Sequence, residues 1–206
     1  MSGIACISNL SGNNKISIDT LDEIQKLLEV RGKDSSKCMT EGSLSFVQCM
    51  FFATEEDKDE ILPRNLRSEG LSIVSDSRLD NRDFLIKEFG TSRKITDSEL
   101  IIQAYLRWGI DFTDHLIGAF AFIIHDKTKN EIIAVRDHIG MKPLYFTVDQ
   151  DNLIISSNID VCKLVSSNEE KINNERVIDY LLFSCGKKEQ TFYEGIYKLE
   201  KASIYL

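Results

Sequence analysis

Apolar and polar positions change period several times along the chain. GIACIS is a short apolar run that stops in SNLSGNN, which predicts a strand entering a turn. Over DTLDEIQKLLEVRG the period lengthens. Leu21, Ile24, Leu27 and Leu28 then share one face, Asp19 or Thr20 can cap the start, and Gly32 stands where a helix ends. That pattern is an amphipathic helix. LSFVQCMFFA is rich in β-branched and aromatic residues and reads as a strand running into the charged loop TEEDKDE. GLSIVSDSRL is a further strand, NRDFLIKEFG a short helix with a terminal glycine. TDSELIIQAYLRWG is the clearest helix: Thr96 caps it, Asp97 and Glu99 lie in its favourable first turn, and Gly109 ends it.

Past Gly109 the period shortens. IGAFAFIIHD, EIIAVRD, PLYFTVD and NLIISSNI are β-rich runs; KTKN joins the first two and a polar link at Gln150–Asp151 joins the last two. They read as one meander of consecutive hairpins. Several are apolar on both faces, which suggests a sheet covered on both sides. NNERVIDYLLFS is another amphipathic helix, with Val177, Ile178, Leu181 and Leu182 on its expected buried side, and TFYEGIYKLEKASIYL returns to strand character. Packed antiparallel sheets with helices outside satisfy this order: an α+β layered sandwich, one domain over residues 1–206.

Composition narrows the function classes. The 206 residues are 42% hydrophobic and 28% charged, enough to bury a core. The net charge of −8 comes with acids and bases interspersed, so there is no basic stripe and no nucleic-acid partner is expected. The five cysteines are odd in number, irregularly spaced and without a CxxC pair. Neither a disulfide framework nor a zinc site is expected, no metal is assigned, and a reducing cytoplasm is favoured. No signal peptide or membrane span is expected either.

The start of the chain poses a chemical question. A small residue after Met1 favours removal of the methionine, which would leave Ser2 with a free α-amine of pKa about 7.7–8.0. Such an amine can serve as general base for its own side chain. Ser2 alone does not decide between a nucleophile and an ordinary small residue.

LIGAFAFIIHDKTKNEIIAVRDHIGMKPLYF is the most informative stretch. On its own it is a hairpin followed by a Gly-x-Lys-Pro turn, with Gly140 supplying a special backbone angle and Pro143 fixing the turn. It resembles the end of the class II glutamine amidotransferase domain of the asparagine synthetase family. The matching positions run from Gly118, Phe120, Ala121 and Phe122 through Asp126, Arg136 and Asp137 to Gly140, Lys142, Pro143, Leu144 and Tyr145. TDSELIIQAYLRWG is similar to the family's Ser-Asp-x-Glu helix start. Arg31–Asp34 is similar to its His-Arg-Gly-Pro-Asp element, with Val30 for His and Lys33 for Pro. The resemblance implies the N-terminal-nucleophile (Ntn) hydrolase fold, a four-layer αββα sandwich of two mainly antiparallel sheets. It also implies a synthetase domain using ATP and Mg. The Ser-Gly-Gly-x-Asp-Ser loop of that domain is absent from these residues, so the chain is expected to be the front half of a longer protein.

Residue by residue, the resemblance implies an altered site. The family places Cys where Ser2 stands. Its oxyanion element Phe-Asn-Gly-Glu-Ile-Tyr-Asn corresponds to Ser75–Asn81, so Asp76 replaces the donor Asn, Ser77 the Gly and Arg78 the Glu. An ionised Asp accepts hydrogen bonds only. The carboxylate-binding Arg belongs to a strand aligned with Val47–Phe51, and no Arg occurs from Gly42 to Leu62. Asp97 matches the family's acceptor for the substrate ammonium, and Arg31 persists as a pocket or loop-supporting residue. SDSRLDNRDFL is also similar to a pattern in lasso-peptide cyclases, with β-lactam synthetases a related case; these relatives use an amine substrate instead of ammonia. A scaffold domain with a vestigial Ser2 is therefore expected, in an amide-forming enzyme acting on an amine or peptide substrate. An active Ser2 glutaminase and a peptide- or effector-binding module are the alternatives.

Overall fold

The computed structural model describes residues 1–10, 16–149, 152–166, 171–184, 186–201 and 203–205. The link at Gln150–Asp151, Cys185 and the whole SGNN stretch lie outside them. Among the described residues no helix is long and apolar enough to cross a membrane.

Two antiparallel sheets lie face to face. The first contains β1 (Gly3–Asn9), β2 (Ser35–Glu41), β3 (Leu44–Met50), β8 (Tyr145–Val148), β9 (Asn152–Ser156) and β10 (Ile196–Lys198), in the order β10-β8-β9-β1-β3-β2. The second holds β4 (Arg64–Leu66), β5 (Leu71–Leu79), β6 (Gly118–Asp126), β7 (Glu131–Arg136) and β11 (Ser203–Tyr205), in the order β11-β7-β6-β5-β4. Strand alternation builds the layers. On β1, Ile4 and Cys6 point inward to meet Val74, Ala121 and Ile123 of the opposite sheet. Ala5 and Ile7 point outward, under Ile24 and Leu28 of α1 (Ile18–Glu29) and Val161 of α4 (Ile159–Val165). On the far side, Ile73, Phe120, Phe122 and Ile124 pack beneath α2 (Arg82–Phe89) and α3 (Asp97–Trp108), through Leu85, Leu100 and Ile101. This is the expected αββα sandwich. Both sheets are covered twice, which is why their strands read as continuous apolar runs rather than alternating ones.

Several local expectations are corrected. The four runs after Gly109 are two hairpins in different sheets: β6–β7 in the second and β8–β9 in the first. The Arg136–Pro143 loop carries the chain between layers. Ser17, not Asp19 or Thr20, caps α1, accepting a hydrogen bond from the Thr20 amide. Gly32 is not that helix's cap, because α1 ends at Glu29. It is needed because a Cβ there would lie 2.5–2.7 Å from the β3 backbone at Cys49 and Met50. β2 is an edge strand whose polar sequence SSKCMTE hid it, and the expected strand tail SSNI contains the cap and first residue of α4. Helix α5 (Asn174–Leu181) forms, but its apolar residues are not buried.

The clearest helix is closed as its sequence requires. The Glu99 amide donates to Thr96 Oγ1 at 3.4 Å, and the Thr96 amide donates to Glu99 Oε2 at 2.9 Å. Thr96→Ala is expected to cost about 1 kcal/mol in urea unfolding.

At one end of the sandwich Glu41 of β2 reaches across to the other sheet. It accepts hydrogen bonds from Ser72 Oγ at 2.7 Å and from Asn65 Nδ2, with Lys127 Nζ at 3.4 Å. His125 Nδ1 lies 3.9 Å from Glu41 Oε2, buried and without a hydrogen-bond partner. Burial pushes the His125 pKa below its ordinary value of 6.5, and Glu41 only partly offsets this. The unfolded chain therefore binds the extra proton more readily. Stability should be full above pH 6.5 and fall as pH drops below it toward the lowered folded value. His125→Gln should flatten that part of a pH series of urea midpoints; an unchanged slope would contradict the assignment.

Candidate functional site

The mouth of the site is where β1 begins and β5 ends. Ser2 directly precedes β1, next to the central pair β1–β3, and is 7% exposed. Its Oγ accepts a hydrogen bond from the Phe51 amide at 3.2 Å. Opposite, Asp76 projects from β5 and is 5% exposed. Its Oδ1 accepts two hydrogen bonds, from the Ser2 backbone N–H at 3.0 Å and from Lys142 Nζ at 2.8 Å. Its Oδ2 is buried without a hydrogen bond, 3.9 Å from an Arg31 guanidinium nitrogen. Arg31 Nε in turn donates to the Ser2 carbonyl at 3.2 Å. Asp76 is thus the centre of a charged cluster that ties the first strand to the loop carrying Lys142.

A buried amide sets the distance between the two sheets here. Gln48, on β3 and fully buried, donates to the Ser75 carbonyl at 2.9 Å and accepts from the Ser75 amide at 3.0 Å. Gln48 stands in the strand aligned with the family's Arg-bearing one, and its side chain is spent on β5. Ser77 bonds to Ser75 Oγ at 2.5 Å.

Asp97 closes the opposite wall. Its Oδ2 accepts from the Leu79 amide at 2.9 Å, and its Oδ1 is paired with Arg82. Arg82 also donates to the Ile95 carbonyl at 2.6 Å. Burial raises the Asp97 pKa, while the Leu79 amide and Arg82 pull it back. Glu60 is nearby, held by the Ser98 amide at 2.9 Å and Ser98 Oγ at 2.6 Å; burial raises its pKa too.

These groups line one cavity of about 600 Å³. Ser2, Asp76, Ser77 and Asp97 all border it, whereas Arg31 supports it from behind Ser2. Six carboxylates face it, against Arg78, Arg82 and Lys142. All three cations are matched to Asp80, Asp97 and Asp76 respectively. Arg82 and Lys142 are held in close pairs, whereas Arg78 is largely exposed and meets Asp80 only through Nε at 3.5 Å, and the Met1 α-amine also borders the cavity. No group of three or more His, Cys, Asp or Glu residues among those described is placed to hold a metal ion.

Sequence reading missed two participants. Lys142 was visible as part of the Gly-x-Lys-Pro turn, but nothing in that motif shows that its ammonium reaches Asp76. Arg82 reads as an ordinary first-turn helix residue, and only the fold brings it against Asp97.

Comparison with known proteins agrees with this architecture. The chain is 27% identical over 145 residues to asparagine synthetase (glutamine-hydrolyzing) 3 of Bacillus subtilis, a match covering 68% of this chain and 24% of that protein. It is 30% identical over 156 residues to the putative asparagine synthetase (glutamine-hydrolyzing) 2 of Methanocaldococcus jannaschii, covering 74% of this chain and 30% of that one. The matched stretch is thus under a third of each relative's length. Among solved structures, glutamine phosphoribosylpyrophosphate amidotransferase from B. subtilis superposes with a TM-score of 0.59 at 18% identity, over 79% of this chain and 43% of that one, a likeness of fold. The sequence model of the glutamine amidotransferase domain matches residues 1–206. Family match, relatives and layered fold converge: the chain belongs to the glutamine amidotransferase domain family, as the class II domain of asparagine synthetase-like proteins.

Proposed function

We propose that this domain no longer hydrolyses glutamine and acts as a scaffold for an ATP-dependent amide-forming module on the same polypeptide. The observation that carries the reading is Asp76. A buried carboxylate beside Ser2 occupies the corner where a tetrahedral adduct requires hydrogen-bond donors. Two further observations support it. Asp97, the expected ammonium acceptor, already holds Arg82, and no guanidinium stands on the Val47–Phe51 strand where the resemblance places the carboxylate clamp. In such an enzyme the synthetase module would adenylate a carboxylate, and an amine on the substrate would attack it. A glutaminase is then superfluous. The SDSRLDNR pattern favours a macrolactam-forming, lasso-peptide cyclase type, with a peptide substrate. ATP and Mg belong to the proposed module, no residue of this chain is assigned to them, and the cytoplasm is the proposed compartment. The decisive assay is ammonia release from glutamine by the chain with Met1 removed.

One observation favours a second reading. The Phe51 amide donates to Ser2 Oγ, and Asp76 would hold a freed α-amine. Were Ser2 a nucleophile, an electrophilic glutamine analogue would label it covalently, and intact mass would show Met1 removed.

A further inference from the structure

Helix α5 is mounted inside out. Two of its charged side chains, Arg176 and Asp179, are half-buried against its own domain, Arg176 lying over the Phe192 ring at 5.9 Å, while the exposed Glu175 accepts from Gln190 Nε2 at 3.2 Å. Asp179 and Arg176 press so closely on Gly186 that a Cβ there would lie 2.4 and 2.7 Å from them. Val177 is half-buried, but most of the apolar residues look outward. Ile178, Leu181 and Leu182 are 56%, 67% and 72% exposed, and no residue of the helix is buried. Phe183 follows at 96% exposure with a φ of 53°, a left-handed conformation unfavourable for phenylalanine. Strain that presents an aromatic ring to solvent points to a use for that ring. A solvated helix would place its charges the other way round.

We infer that this outward face of α5, with Phe183 as its anchor, is the docking surface for the amide-forming module carried on the same polypeptide. The inference rests on the two-module reading above. Its occupant is argued from the relatives: the matched stretch fills only 24% and 30% of the two synthetases, so each carries a large further mass of protein. An apolar helix face with an exposed aromatic anchor matches the composition of an interface core. Its burial would remove an exposed patch that a lone domain keeps at a cost in solubility.

Hydrogen exchange on the full polypeptide and on the 206-residue chain tests this. Amides of residues 174–184 should exchange at least about tenfold more slowly in the full polypeptide. Leu181→Asp with Phe183→Asp should abolish that protection. It should leave the urea midpoint of the 206-residue chain unchanged, because neither side chain is buried there. Equal exchange in a polypeptide that does contain a second module overturns this inference alone; a polypeptide without one overturns the functional reading. Protection of the 206-residue chain that grows with its concentration, or appears only with lipid vesicles, would assign the face to a second copy or to a membrane and overturn the proposal.

Discussion

Glutamine supplied to the chain after removal of Met1 is expected to release ammonia no faster than with the Ser2→Ala variant. The expectation follows from three separate deficits in one cavity. On the proposed reading Asp76 puts a carboxylate where the tetrahedral adduct needs an N–H donor, and losing one such donor costs about 10²–10³ in rate. Lys142 offsets the charge of Asp76, and the hydrogen bond it donates orients its ammonium toward Asp76 Oδ1. On the facing wall both oxygens of Asp97 are taken, by the Leu79 amide and by Arg82. A substrate ammonium would have to share that carboxylate with a guanidinium already bound to it. With no arginine on the Val47–Phe51 strand to clamp the substrate carboxylate, orientation is lost as well, roughly a further 10². Together these put turnover at least about 10⁴ below that of an intact site. For the same reason Asp76→Asn should not restore activity by itself, since Arg82 still bridges Asp97. Ammonia measured by coupled oxidation of a reduced nicotinamide would decide it. Release that exceeds the Ser2→Ala background, and that Ser2→Ala removes, would show the site to be live.

How far the sequence foretold this site depends on the kind of interaction. Periodicity located the strands buried on both faces and the capped helix α3, because burial and capping are local patterns. It lost the edge strand β2, whose SSKCMTE carries little apolar signal. It merged two hairpins into one meander, because strand pairing between distant segments leaves no trace in local period. Helix α5 misled for a different reason: its apolar stripe is real, but this domain does not cover it. The resemblance brought Ser2, Asp76, Ser77 and Asp97 to one site, and the fold places all four around one cavity. The pairings Lys142–Asp76 and Arg82–Asp97 were beyond reach, since each spans segments that only the packed layers bring together.

Asp137→Ala is expected to be the most destabilising single change near the site, at about 3–5 kcal/mol. Asp137 is fully buried and holds the Arg136–Pro143 loop from within. Its carboxylate accepts from the amides of Ile139, Met141 and Lys142 at 3.2, 2.9 and 3.0 Å. Arg136 gathers the opposite set, donating to the carbonyls of Lys142, Gly140 and Leu199 at 2.6, 2.6 and 2.8 Å. One side chain satisfies the loop's N–H groups and the other its C=O groups, so a turn with φ of 73° at Gly140 stays ordered without sheet or helix. Removing the carboxylate strands three amides and leaves the buried Arg136 without the negative charge that partly offsets its desolvation. The midpoint of thermal unfolding should fall by roughly 6–20 °C for a chain of this size. Asp137→Asn keeps one acceptor oxygen and should lose about half as much. The consequence reaches the site, because this loop delivers Lys142 to Asp76. With the loop released, Asp76 keeps only the Ser2 amide and the distant Arg31, and a buried carboxylate with so little compensation adds to the loss. A urea titration showing less than about 1 kcal/mol for Asp137→Ala would mean that the loop is held by its backbone alone, and that the position of Lys142 does not depend on the Arg136–Asp137 pair.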